Sequence, residues 1–161
     1  MEIVLATRNR KKIEEISRIT TGLPIMVQSL DDFPGCPETV EDRDTFEGNA
    51  SKKALETALF TNKPALSDDS GLEVDALGGK PGVYSARYAP DAMNGNDPKN
   101  YLKLLNDLSA TPEEKRTARF VCCIALAFPD GRVKTFFGRA EGRIGREPRG
   151  IGSTAKILTS P

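Results

Sequence analysis

The amino terminus carries the pattern that most restricts the fold, because it changes from strand to helix periodicity within nineteen residues. Residues 3–6 form a short apolar run, partly β-branched, as in a buried strand. Isoleucines then recur at positions 13, 16 and 19, which is the spacing of one helix face. The segment therefore predicts a strand, a turn and a helix.

The turn between this strand and this helix is strongly cationic. Each cation is unfavourable there by about 0.3 to 1 kcal/mol, because the amino end of the helix dipole is positive. The same end offers backbone N–H groups, so we predict an anion site, and the charge favours a polyphosphate. The alternative is a solvated surface turn, to which the charge pattern alone gives equal weight. Thr7 and Asn9 are candidate helix caps, and the cations are Arg8, Arg10, Lys11 and Lys12.

Length and charge indicate a single-domain protein without a broad nucleic-acid surface. The chain fits one domain over residues 1–161 and is long enough to bury a proper core. Its 23 basic residues balance 23 acidic ones, so we expect no nucleic-acid partner. No apolar stretch approaches the roughly 20 residues that span a bilayer, and no signal-peptide pattern begins the chain. We therefore expect a soluble, cytoplasmic protein without a membrane partner.

The sequence contains no histidine, which restricts the chemistry available to it. Catalytic groupings of serine or cysteine with histidine are excluded, as are imidazole metal ligands. Cys36, Cys122 and Cys123 show neither a disulfide framework nor zinc-ligand spacing, and we interpret them as reduced thiols. Chemistry must then rest on carboxylates, lysine, arginine, hydroxyls or a metal with oxygen ligands, which favours magnesium or manganese.

Two adjacent carboxylates are predicted at the edge of the sheet where the cationic turn lies. Residues 64–67 form a short apolar strand, and Asp68 and Asp69 follow it directly. Since side chains alternate along extended backbone, we expect one carboxylate to face the site and the other to hold a turn. Composition alone gives an ordinary Asp-Asp-Ser-Gly turn about equal weight. Position favours a site, because ligands of α/β sheets bind at the carboxyl ends of strands.

The helix that precedes this strand adds further polar groups. We predict Asp44 as its cap. Asn49 and Lys53 lie one turn apart on its flank, so both can lean toward whatever the helix borders. The acidic loop over residues 31–44 carries Glu41, which is either a solvated charge or a group that reaches a metal. The row of the helix that faces the core is predicted to be Phe46, Ala50, Ala54 and Ala58.

The second half of the chain is predicted to hold one helix and a β-hairpin. Asp97 caps the helix and Pro98 occupies its first position. An apolar strand over residues 120–128 returns through a Pro-Asp-Gly turn as residues 133–137. Residues 138–152 alternate glycine with charge and can extend the hairpin as an exposed strand and loop.

The predicted site suits a magnesium polyphosphate. Magnesium keeps several waters, takes one or two protein carboxylates and is completed by phosphate oxygens. Phosphoryl chemistry then needs positioning, charge neutralisation and an oriented water. The glycine-rich signatures of P-loop and dinucleotide-binding proteins are absent, which argues against an ordinary kinase, a P-loop NTPase or a dinucleotide enzyme.

Four ordered motifs resemble the inosine triphosphate pyrophosphatase family, and the similarity covers about residues 1–150. The resemblance implies an elongated α/β fold, with a central mixed β-sheet flanked by helices and a nucleotide cleft between two lobes, usually in a homodimer. It implies magnesium-dependent hydrolysis of ITP, dITP or XTP to the monophosphate and pyrophosphate, with manganese as a possible replacement. That reaction clears deaminated purines from the nucleotide pool. The motifs occupy residues 5–12, Glu41 with 45–46 and 49–54, 67–72, and 77–88.

The resemblance also implies roles for individual residues. Glu41 and Asp69 serve the metal, and Asp69 also orients or deprotonates the attacking water. Lys53 assists in holding the triphosphate, and Ser70 contacts the nucleotide. Arg8 stands where most members carry glycine, as does Arg43. The purine nucleoside triphosphate is held by the cationic turn and its neighbours, namely Thr7, Arg8, Asn9, Arg10, Lys11 and Lys12.

The end of the chain departs from this family. Members continue into Gly-Phe-Gly-Tyr-Asp-Pro and later Ser-His-Arg, which bind the base, whereas residues 150–157 read Gly-Ile-Gly-Ser-Thr-Ala-Lys-Ile. We therefore expect a carboxyl-terminal end that is shortened or divergent after about residue 150, with relaxed base selectivity. Two alternatives remain: a non-catalytic or weakly active nucleotide-binding remnant, and a chain that serves only as a dimer partner.

Overall fold

A computed structural model of the chain describes residues 1–93, 95, 97–149 and 156–159. The chain forms two compact units. The first contains Met1–Asp69 and Cys123–Phe136, and the second contains Ser70–Cys122 and the described residues from Phe137 onward. The helices and strands of the described ranges are β1 Glu2–Leu5, α1 Arg10–Ile19, β2 Met26–Ser29, α2 Phe46–Thr61, β3 Ala65–Val74, α3 Pro98–Asp107, β4 Thr117–Ala127, β5 Val133–Arg149 and β6 Lys156–Thr159.

The strands form a mixed sheet in the order β2-β1-β3-β4-β5-β6. β1 is parallel to β2 and β3, whereas β5 is antiparallel to β6. The predicted hairpin is confirmed, because the Phe128 N–H donates to the Arg132 carbonyl at 2.9 Å in the turn between β4 and β5. The α/β class with a mixed sheet and flanking helices is likewise confirmed.

The first unit is built on the predicted strand-turn-helix segment. Val4 is fully buried in β1 and pairs with Gln28 of β2 on one side and Ala65 of β3 on the other. A central position in a parallel sheet buries both faces of a strand, which explains why β1 is apolar without alternation. The second strand, β2, covers Met26–Ser29 and pairs in parallel with β1.

Helix α2 begins one residue later than predicted. Thr45, not Asp44, is its cap: the backbone of Thr45 is extended, and its hydroxyl accepts a hydrogen bond from the Gly48 N–H at 3.0 Å. Both residue types are good caps, so composition does not choose between them. The predicted core row is confirmed, with Phe46, Ala50, Ala54 and Ala58 all buried.

The turn predicted at residues 68–71 is wrong, because β3 runs unbroken through both aspartates. Aspartate, serine and glycine disfavour strands intrinsically, but tertiary hydrogen bonds override that preference here. The Ser67 hydroxyl donates to the Ala50 carbonyl of α2 at 2.5 Å. The register of β1 along β3 ends at Leu66, so Asp68 and Asp69 still lie beyond the carboxyl end of a neighbouring parallel strand.

In the second unit, α3 has the predicted cap and packs on an apolar cluster. The Asp97 carboxylate accepts from the Lys99 N–H, and Pro98 occupies the first turn. Arg116 was not predicted as a core residue, and its buried guanidinium donates to the carbonyls of Leu108, Ile144 and Gly145. Burial lowers the pKa of Arg116 from its usual value. The cluster contains Val74, Leu104, Leu108, Ala118 and Ile144.

Three further expectations concern the thiols, the bilayer and the end of the chain. Cys36, Cys122 and Cys123 are reduced thiols, as expected. None of the helices in the described ranges combines the length and apolar character needed to cross a membrane. The strand predicted over residues 138–152 is confirmed as far as Arg149, and residues 150–152 lie outside the described residues.

The cap of α2 can be tested by substitution. We expect Thr45→Ala to lower the free energy of unfolding by about 1 kcal/mol, because the Gly48 N–H loses its acceptor. Asp44→Ala should cost less than about 0.5 kcal/mol, as is usual for exposed sites. Urea titration followed by circular dichroism measures both values. A larger loss in the Asp44 variant would contradict the assignment.

Candidate functional site

The cationic turn is organised by Asn9. Its carboxamide oxygen accepts from the Lys11 N–H at 3.0 Å, which makes Asn9 the cap of α1. The Asn9 N–H in turn donates to the Thr7 hydroxyl at 3.1 Å. Both candidate caps therefore take part: Asn9 caps the helix, and Thr7 holds the backbone of Asn9. The first turn of α1 contains no acidic residue, so its positive end keeps its charge, and Arg10 and Lys11 are exposed there.

Lys12 connects this turn to β3. Its ammonium donates to both carboxylate oxygens of Asp68, at 2.9 and 2.7 Å. The side chains remain 40% and 28% exposed, so the pair is accessible to solvent. The contact spans 56 positions of sequence, and it places the cationic turn beside the aspartate pair as predicted.

Arg8 reaches the acidic loop instead of pointing freely into solvent. Its guanidinium Nη2 donates to the Cys36 carbonyl at 2.9 Å. This bond links the cationic turn to the segment that leads to Glu41, and the contact of Arg8 with phosphate that the resemblance implied stays a prediction. Backbone carbonyls leave no sequence signal, so this partner could not be predicted.

Helix α2 holds the acidic loop through two lysines. Lys53 donates to Glu41 Oε1 at 2.5 Å, and the side chains are 18% and 35% exposed. Lys52 donates to the Val40 carbonyl at 2.8 Å and to the Asp42 carboxylate at 2.9 Å. The Lys52 hydrogen bond holds the pKa of Asp42 below its usual value. Glu41 is thus fixed near the helix that also carries Asn49.

Asn49 contacts the predicted catalytic carboxylate. Its Nδ2 donates to Asp69 Oδ2 at 3.0 Å, and its Oδ1 accepts from the Arg43 N–H at 2.9 Å. The sequence indicated only that Asn49 leans toward a neighbouring element. That neighbour is β3, and the contact adds Asn49 to the candidate site.

Alternation along β3 sends the two aspartates to different helices. Ser67 and Asp69 both bond to α2, whereas Asp68 bonds to Lys12 of α1. This is the period of two that extended backbone imposes. The two aspartates therefore point to different partners, as expected for extended backbone, but the expectation that one of them holds a turn is wrong. Ser70, the predicted nucleotide contact, follows Asp69 on β3 and begins the second unit.

The donor set fits a hard divalent cation that a ligand completes. Within the part of the chain that the structure describes, no group of three histidine, cysteine, aspartate or glutamate side chains could hold a metal alone. Magnesium needs only one or two protein carboxylates when phosphate oxygens supply the rest. Glu41 and Asp69 offer oxygen ligands of this kind, and each lies against α2 through Lys53 or Asn49.

Comparison with known proteins identifies relatives over most of the chain. The model of the Ham1 family matches residues 3–154. The dITP/XTP pyrophosphatase of Geobacter sulfurreducens is 54% identical over 150 residues, which are 93% of this chain and 74% of the relative. The dITP/XTP pyrophosphatase of Desulforamulus reducens is 50% identical over 152 residues, which are 94% of this chain and 75% of the relative.

Solved structures show the same similarity. The nucleoside-triphosphatase / dITP/XTP pyrophosphatase of Mycobacterium abscessus is 40% identical with a TM-score of 0.85, covering 98% of this chain and 83% of its own. The HAM1 protein of Coxiella burnetii is 38% identical with a TM-score of 0.89, and the similarity covers 100% of this chain and 82% of that protein's chain.

The ion pair between Lys12 and Asp68 should be weak enough for an anionic ligand to replace. A double-mutant cycle with Lys12→Met and Asp68→Asn should give a coupling free energy of about 0.2 to 1 kcal/mol, because both side chains are partly solvated. The coupling should shrink at high salt. Urea denaturation measures it, with the more exposed pair of Lys99 and Asp91 as control. A coupling above about 3 kcal/mol, as in buried pairs, would contradict this view.

Proposed function

Because the chain belongs to the Ham1 family, we propose that it hydrolyses purine nucleoside triphosphates at the α–β phosphoanhydride bond. The products are the nucleoside monophosphate and pyrophosphate. The proposed substrates are ITP, dITP and XTP, in accord with the dITP/XTP pyrophosphatase names of its relatives. In this role the protein removes deaminated purines from the nucleotide pool of the cytoplasm. The homodimer implied by the resemblance stays a prediction.

The observation that carries this proposal is the hydrogen-bonded pair of Lys12 and Asp68. It brings a helix amino terminus with no acidic residue in its first turn to the strand that also carries Asp69. Backbone N–H groups and cations at such an end bind phosphates. We assign the triphosphate to this turn, with Thr7 and Asn9 shaping it and Lys12 as the principal cation.

Two ion pairs, Lys12 with Asp68 and Lys53 with Glu41, balance the charges of the site before substrate binds. Pairs of this exposure contribute only about 0.2 to 1 kcal/mol each, so a polyanion can separate them. Lys12 and Lys53, now paired with Asp68 and Glu41, would then bind phosphate oxygens, and Glu41 and Asp69 would hold the magnesium. Bound magnesium neutralises charge and polarises the phosphate oxygens.

Asp69 is the proposed general base. A water oxygen forms a bond to the α-phosphorus, and the water proton passes to the Asp69 carboxylate. The bond from that phosphorus to the bridging oxygen breaks, and its electron pair leaves with pyrophosphate. Carboxylates act in this role where histidine is lacking, and a positioned base contributes about 10²- to 10⁴-fold to the rate.

Product analysis tests the function directly. With magnesium and ITP, dITP or XTP, we expect equimolar monophosphate and pyrophosphate, measured by anion-exchange chromatography. Asp69→Asn should reduce kcat by about 10²- to 10⁴-fold, because the proton acceptor is lost. Asp130→Asn, in the hairpin turn, is the matched control and should change kcat by less than about twofold.

Two results would contradict the proposal. Orthophosphate as the product would indicate cleavage at the terminal phosphate. Magnesium-dependent binding of ITP without turnover would instead support the nucleotide-binding remnant. Isothermal titration calorimetry on the same samples distinguishes this second result from a chain that binds no nucleotide.

The metal requirement has its own test. We expect no turnover in excess chelator and recovery on addition of magnesium or manganese. Glu41→Gln should raise the magnesium concentration for half-maximal activity by at least about tenfold, because a ligand is lost. Glu38→Gln alters an exposed acid of the same loop and should leave that concentration unchanged. Equal effects in both variants would argue against Glu41 as a ligand.

A further inference from the structure

Asn49 is a buried polar residue in the first turn of α2. Its side chain lies in the protein interior, with the residue only 1% exposed, and hydrogen bonds engage both ends of the carboxamide. Oδ1 accepts from the Arg43 N–H, and Nδ2 donates to Asp69 Oδ2. Because an amide has distinct donor and acceptor ends, these two bonds fix its orientation.

Asn49 belongs to a helical turn that packs into the core. Its own N–H bonds to the Thr45 carbonyl at 3.1 Å in the first turn of α2. The neighbouring Phe46 and Ala50 are buried in the core of the first unit. The carboxamide is therefore anchored to a well-packed helix, so its hydrogen bond to Asp69 holds one carboxylate oxygen at a defined place.

We propose that Asn49 is a positioning residue, which orients the Asp69 carboxylate for metal binding and proton transfer. The inference rests on the proposed function and extends it to a residue that does not touch substrate. The hydrogen bond from Asn49 Nδ2 restricts the position of Asp69 Oδ2, and with it the orientations open to the carboxylate. Outer partners of this kind change metal affinity or activity by about 10- to 100-fold when they are removed.

A purely structural role makes a different prediction. In that case Asn49 serves only to join the acidic loop to α2 through the Arg43 N–H. The chain offers a matched control in Ser67, whose hydroxyl also bonds β3 to α2 on the same face, two residues before Asp69. Ser67→Ala removes a buried contact between the same two elements without altering the Asp69 carboxylate.

The test compares Asn49→Ala with Ser67→Ala in the full chain. At saturating magnesium and ITP, we expect kcat to fall about 10- to 100-fold in the Asn49 variant, while KM for ITP stays within about threefold. Ser67→Ala should keep kcat within about twofold of the unmodified chain. Equal kcat values in the two variants, or a loss confined to KM, would overturn the proposal.

A second readout does not depend on turnover. Manganese binding in the presence of α,β-imido-ITP, followed by electron paramagnetic resonance, should weaken about 10- to 100-fold in Asn49→Ala and remain unchanged in Ser67→Ala. If the unmodified chain binds manganese but releases no pyrophosphate, the proposed function fails. The manganese affinities of the two variants still test the role of Asn49 in that case. Manganese affinities that match in both variants would overturn the positioning role.

Asn49→Leu covers the case in which the alanine variant does not fold. Its branched side chain has nearly the shape of asparagine and leaves no cavity, but it has no proton to donate to Asp69. The interior stays filled, so circular dichroism should show the native fold. A kcat loss similar to that expected for alanine supports positioning, and a kcat within about twofold of the unmodified chain contradicts it.

Discussion

The first unit depends on β3 remaining extended through two adjacent aspartates. Because extended backbone alternates its side chains, Asp68 meets Lys12 of α1 while Asp69 meets Asn49 of α2. A turn at these positions would break that division. The pairing of β1 with β3 up to Leu66 holds the strand in register just before them. One strand thereby ties both helices to the candidate site.

Much of this fold follows from patterns that the sequence displays openly. Local patterns predicted three elements that the structure contains: the apolar run of β1, the core row of α2 and the Asp97-Pro98 start of α3. Two expectations failed for different reasons. The cap of α2 is Thr45 and not Asp44, because both residue types cap helices well and local propensity does not choose between them. The turn at residues 68–71 is strand, because long-range hydrogen bonds of the two aspartates outweigh a weak local propensity.

The candidate site was predicted in its residue types more fully than in its contacts. The charges of Lys12, Lys53, Glu41 and the aspartate pair stand out in a chain without histidine, and the structure gives each a partner in the first unit or a place on β3. The partners themselves were not predictable. Arg8 bonds to the backbone carbonyl of Cys36, which any residue could offer, and such contacts leave no trace in composition.

The arrangement of charge has a consequence for how the proposed ligands bind. Lys53 and Glu41 are paired, so in the proposed function a phosphate that bound Lys53 would release Glu41 for the cation. A cation bound to Glu41 would release the lysine in the same way. Each ligand then lowers the cost of binding the other, and thermodynamic linkage requires the two effects to be equal. A site built from such pairs favours the metal and the polyphosphate together over either alone, which matches the proposed substrate.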